Sequence, residues 1–70
     1  MMPLNYACEG ETNIIRKVGG TPEVKQHLAD MGFNVGESVS VICTLGGNII
    51  VKVKEARVAI SRELASKIMV

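Results

Sequence analysis

Apolar and polar positions alternate along much of the chain, and one helical period interrupts them. Residues 13 to 18, NIIRKV, read as a first strand closed by Gly19-Gly20. Thr21-Pro22 then signals a helix start. The threonine hydroxyl can accept a bond from a free amide, and proline at the first helical position lacks the N–H that would go unpaired. Glu23 adds negative charge at the positive end of the helix dipole. Val24, Leu28 and Met31 follow at i, i+4 and i+7, an apolar stripe on an otherwise polar helix. Gly32 stands where a left-handed C-terminal cap is wanted, Phe33 is expected to turn inward, and Gly36 to lead into the next strand.

Residues 37 to 45, ESVSVICTL, place Val39, Val41, Cys43 and Leu45 on one side and Ser38, Ser40, Ile42 and Thr44 on the other. After Gly46-Gly47-Asn48, Ile49, Val51 and Val53 alternate with Ile50, Lys52 and Lys54, and RVAIS puts Val58 and Ile60 on one face. Matching apolar faces predicts a loop from Gly46 to Asn48, or an equivalent bulge. Leu45 then pairs with Ile49, Cys43 with Val51 and Val41 with Val53. A tighter Gly46-Gly47 loop would set Val41 against Lys52. A turn at Glu55-Ala56 pairs Val53 with Val58 and Val51 with Ile60. Ser61 can cap a short helix over RELASK, and Ile68-Met69-Val70 reads as a last, paired strand. Together these predict one mainly β domain over residues 1–70, an SH3-like small β-barrel with one helix after strand 1 and a short C-terminal helix.

The composition, 47% hydrophobic and 21% charged over 70 residues, supports one aliphatic core, with Tyr6 and Phe33 the only aromatics. A net charge of +1 gives no electrostatic reason to expect nucleic acid or an acidic membrane surface. Arg16, Lys17, Lys52, Lys54 and Arg57 make a basic stripe on outward faces. Without aromatics to stack on bases it reads as a solvated face, and proline-peptide recognition fails for the same reason. No apolar run approaches the ~18 residues of a membrane span, and the N-terminus MMPLNYACEGE lacks the basic and apolar segments of a secretory signal. With two free thiols, Cys8 and Cys43, the pattern predicts a cytoplasmic protein without direct membrane insertion.

Candidate chemistry is sparse, and the expectation is a protein that is not an enzyme. Cys43 is in phase with Val39 and Val41 and reads as a buried, inert thiol. Ser38, Ser40, Ser61 and Ser66 lack a glycine-flanked elbow, and His27 at the edge of the helix stripe reads as a partly exposed packing histidine. Cys8, His27 and Cys43 are scattered, with no CxxC, HxxxH or ExxH spacing. This predicts no tightly bound cofactor and leaves only weak divalent transition-metal binding, at Cys8, Glu9 or Glu11 in the early loop, with Cys8 and His27 as the weak metal candidates. Gly19-Gly20 and Gly46-Gly47 lack the flanking pattern of a phosphate cradle and read as corners. Ile42 and Ile50 fall on the polar sides of their strands near the Gly46–Asn48 tip. Two readings stay open: a covering by the N-terminal segment or a helix, or a partner-binding surface formed with Leu45.

The ordered set PLNYACEGE, I-x-x-V-G-G, H-L-A-D-M-G-F-N-V-G, G-G-N-I-I-V-K-V, R-V-A-I-S-R-E-L-A and K-I-M-V resembles the FeoA family, ferrous iron transport protein A, over about Pro3 to Val70. Leu28, Met31, Gly32, Phe33 and Gly36 fit its L-x-x-(L/M)-G-(L/F)-x-x-G signature. The resemblance implies a cytosolic accessory role in bacterial ferrous-iron uptake beside the permease FeoB, with the permease's G-protein domain as partner. It also implies kinship with the C-terminal domain of iron- and manganese-dependent repressors, a protein-contact module. Such domains are described as transition-metal associated, yet no invariant ligand set falls on this chain. The alternative function is a small Fe(II) or Zn(II) carrier using Cys8, His27 or Cys43. The oligomeric state stays open.

Overall fold

A computed structural model describes residues 1–70. The expected helix forms as α1, Pro22–Asp30, and Thr21 caps it: its Oγ1 accepts the Val24 N–H at 3.2 Å. Leu28 is wholly buried, while Val24 and Met31 pack at the margin of the core. The helix ends as the glycine predicts. Gly32 adopts φ +102°, so its N–H reaches the Ala29 carbonyl at 3.0 Å and the Phe33 N–H reaches Leu28 at 2.9 Å. These paired bonds swing Phe33 into the core beneath the helix end, where it is 1% exposed.

The strand expected over residues 13 to 18 is a bent ribbon serving two sheets. Its first part, β1 (Thr12–Ile14), pairs with β3 (Ser38–Leu45), and its second, β2 (Lys17–Val18), pairs with β6 (Ile68–Met69). At the bend the Ile15 N–H bonds the Glu37 carbonyl at 2.9 Å and the Arg16 N–H bonds Met69 at 2.8 Å. The bend turns Ile15 fully inward and leaves Ile14 44% exposed. The other sheet runs β1-β3-β4-β5, with β4 at Asn48–Val53 and β5 at Ala56–Ser61. Beyond β6 the N-terminal segment closes on the last residue: the Met2 N–H donates to Val70 at 2.9 Å, and the Val70 N–H to Met2 at 2.8 Å. A 3-10 turn at Leu4–Tyr6, absent from the sequence expectation, buries Leu4 completely.

The residue pairings predicted for both hairpins need correction, although the bulge expected as the alternative to a three-residue loop is present. The first connection is the tight Gly46-Gly47 turn, with Leu45 opposite Asn48 and Thr44 opposite Ile49. Nearer the base, Val41 faces Val51 and Val39 faces Val53, one step out of phase with the tip. Ile42 absorbs the difference as a bulge, which keeps Val39, Val41, Ile49, Val51 and Val53 in the core. Cys43 and Leu45 are thereby turned to the outer face, so Cys43 is half-buried there and not a core thiol. The second turn is Lys54-Glu55, not Glu55-Ala56: Val53 faces Ala56, Val51 faces Val58 and Ile49 faces Ile60. That register gives every inward β4 side chain an apolar partner on β5, against a left-handed Lys54 at φ +55°.

Ser61 caps α2, Arg62–Ala65, through a 3.2 Å bond from the Leu64 N–H to its Oγ, and the helix is shorter than RELASK suggested. α2 packs against β4, β5 and the Leu4–Tyr6 turn, spanning the gap between β5 and the N-terminal segment. Thirteen buried residues, all apolar, fill the interior. The result is a small SH3-like barrel, mainly β. None of its helices is long and apolar enough to cross a membrane.

Candidate functional site

The bulge at Ile42 and the tight turn beyond it build the most distinctive surface of the molecule. Side chains directly opposite in a ladder share a face. Cys43, Ile50 and Ala59 therefore form one outer row across β3, β4 and β5, and Leu45, Asn48 and Ser61 form the next toward the tip. Leu45 is 67% exposed, with Ile42 and Ile50 half-buried beside it. The three candidate contact residues are thus gathered at one end of the hairpin. Glu9 and Gly10 line the β3 edge at Val41 and leave both isoleucines partly accessible.

On the other side of the apolar row lie Ser40, Lys52 and Arg57. Lys52 stands directly opposite Arg57, a like-charge pairing that destabilises a sheet. Neither belongs to an ion pair; the one salt bridge joins Lys54 to Glu37 at 3.8 Å, between exposed side chains where such contacts contribute little. The expected five-cation stripe is accordingly divided. Lys52 and Arg57 share the outer face of β4 and β5, Lys54 sits in the turn, and Arg16 and Lys17 lie on the bent ribbon. The Lys52–Arg57 opposition and Ala59 were missed in the sequence because both depend on the Lys54-Glu55 turn. The left-handed tolerance of Lys54 has no sequence signal of the strength a glycine gives.

The metal candidates do not converge. Cys8 and His27 are exposed, Cys43 is half-buried on β3, and no three His, Cys, Asp or Glu side chains are placed to hold one ion. No pocket opens on the molecule. The signature residues are structural: Leu28 and Phe33 are core, Met31 packs at its edge, and Gly32 and Gly36 take left-handed conformations.

Fold and surface together define an SH3-like domain whose accessible features are sheet faces and edges. The FeoA domain family matches residues 2–70, and the chain belongs to that family. It is 41% identical over all 70 residues to a Methanocaldococcus jannaschii protein called "Putative Fe(2+) transport protein A", covering 85% of that protein. Among solved structures it is similar to an iron uptake regulatory protein, FeoA, at 28% identity and a TM-score of 0.88, over 96% of this chain and 91% of that one. A manganese-dependent transcriptional repressor shares the fold, with a TM-score of 0.85 at 20% identity, over 94% of this chain and 38% of the repressor.

Proposed function

We propose that this protein is a non-enzymatic accessory factor of ferrous-iron uptake, acting in the cytoplasm by contact with the cytosolic region of a FeoB-type permease. The observation that supports the reading is the hairpin tip, where exposed Leu45 shares the outer face of β3 and β4 with the partly accessible Ile50, next to the bulged Ile42. Apolar side chains clustered at the end of a rigid hairpin serve as an anchor for a partner. Family membership supplies the iron-transport context.

The reading is tested by titrating isotope-labelled protein with purified permease cytosolic domain, with guanine nucleotide and without. Amide signals of Ile42, Leu45 and Ile50 are expected to shift, and Leu45→Asp to weaken binding about tenfold or more without lowering the unfolding midpoint. Absence of any shift at high micromolar concentration in both nucleotide states, or binding indifferent to Leu45→Asp, overturns it.

A further inference from the structure

β5 is the last strand of its sheet, and its outer edge is open. The two-residue turn sets Val53 and Ala56 as a hydrogen-bonded pair, and bonded pairs then recur at every second position along the ladder. Ala56, Val58 and Ile60 therefore spend their main-chain groups on β4. The bond from the Arg62 N–H to Gly47, at 3.2 Å, continues the same phase. Arg57 and Ala59 direct their N–H and C=O groups the other way, where no strand pairs with them; Ser61 turns its N–H the same way, while its C=O, at the N-cap of α2, accepts the first helical bond. No proline or bulge interrupts β5, and Arg57 and Ala59 are exposed. Of the devices that usually blunt an edge, β5 carries only the charge on Arg57 and, at its Ser61 end, the neighbouring α2.

That charge exceeds what a guard requires. Arg57 faces Lys52 across the ladder with no carboxylate paired to either, an arrangement the fold tolerates without relieving. A strand laid along β5 would set its own outward side chains beside Arg57 and Ala59, within reach of the Lys52–Arg57 pair.

We propose that the β5 edge takes up an extended, acidic segment of a protein partner as an additional strand, with a carboxylate held against Lys52 and Arg57. The alternation of free donors and acceptors along Arg57 and Ala59, ending in the Ser61 N–H, selects a polypeptide, because nucleic acid cannot match it. The uncompensated cations select an acidic one. A second copy fits poorly: its β5, ARVAIS, carries no carboxylate and would bring another arginine to the seam. The proposal deepens the protein-contact reading given above, but it rests on residues distinct from the hairpin tip.

A random peptide display library, selected on the immobilised full chain, tests it independently of the permease. Enriched peptides are expected to carry Asp or Glu at alternate positions. They should slow hydrogen exchange at the amides of Arg57, Ala59 and Ser61. Ala59→Pro removes an N–H that serves no internal bond and should abolish binding. Arg57→Glu, a surface change that keeps the fold, should lower affinity more than tenfold and shift selection toward basic peptides. The proposal is overturned by any of four results: no enrichment, enrichment without acidic residues, exchange protection away from β5, or binding indifferent to Arg57→Glu. Displacement of bound peptide by an oligothymidylate equally, or sedimentation as a dimer with β5 amides protected, would assign the edge to another occupant and overturn it too. Success here with a failed permease titration would remove the permease reading alone.

Discussion

Two glycines with nearly the same backbone twist separate conformational strain from crowding. Gly32 has φ +102° and Gly20 φ +97°, both unfavourable for any residue with a Cβ. A Cβ on Gly32 would meet Val53 Cγ1 at 3.7 Å, an ordinary contact, so Gly32→Ala pays only the backbone term, about 1–2 kcal/mol. A Cβ on Gly20 would meet Val24 Cγ1 at 3.0 Å and Val24 Cβ at 3.2 Å, and Val24 already packs against the core. Gly20→Ala is therefore expected to lower the urea unfolding midpoint further than Gly32→Ala. The two variants ranking in the opposite order would show that Val24 is no wall.

At the scale of elements, the bulge in β3 decides which side chains the hairpin shows to solvent. Ile42 is the unpaired residue between the Val41–Val51 and Cys43–Ile50 pairs, so removing it would leave those pairs directly successive. Deleting Ile42 is expected to preserve both registers while reducing the local twist. The variant should stay folded, with cross-strand contacts at Val41–Val51 and Cys43–Ile50 still visible by NMR. A shifted ladder would mean that the bulge sets the register and does not merely absorb it. The same bulge marks how far the sequence could be read. Helix α1, both serine and threonine caps, the Gly32 ending and the inward faces of β4 and β5 were legible, because each rests on residues with one strong local preference. The hairpin registers were not. Two parity demands, a tight glycine turn and a continuous valine face, differ by one residue, and alternation such as Val39, Val41, Cys43, Leu45 gives no sign of where the phase breaks. The contact surface inherited that ambiguity: Ile42, Leu45 and Ile50 were singled out, but Ala59 and the Lys52–Arg57 opposition depend on a turn at Lys54 that its own residues do not announce.

At the scale of the whole molecule, a wholly apolar interior of thirteen residues closes only when the first and last segments meet around Leu4, Ile68 and Val70. Long-range pairings tie the ends to the two central hairpins: β1 with β3, β2 with β6, and Met2 with Val70. The Met2–Val70 clasp has a kinetic meaning. It closes the largest loop in the chain and is expected to form after the hairpins align, since the entropy of joining distant segments must be met before their contacts return anything. Refolding is expected in about the millisecond-to-second range of non-local β topologies. Val70→Ala should leave the refolding rate nearly unchanged and accelerate unfolding. Stopped-flow chevrons would report this as a shifted unfolding limb, and a shifted refolding limb would place the clasp inside the folding nucleus. Joined late and released early, the two ends act as the latch of the barrel, and its hold sets how long the folded state lasts.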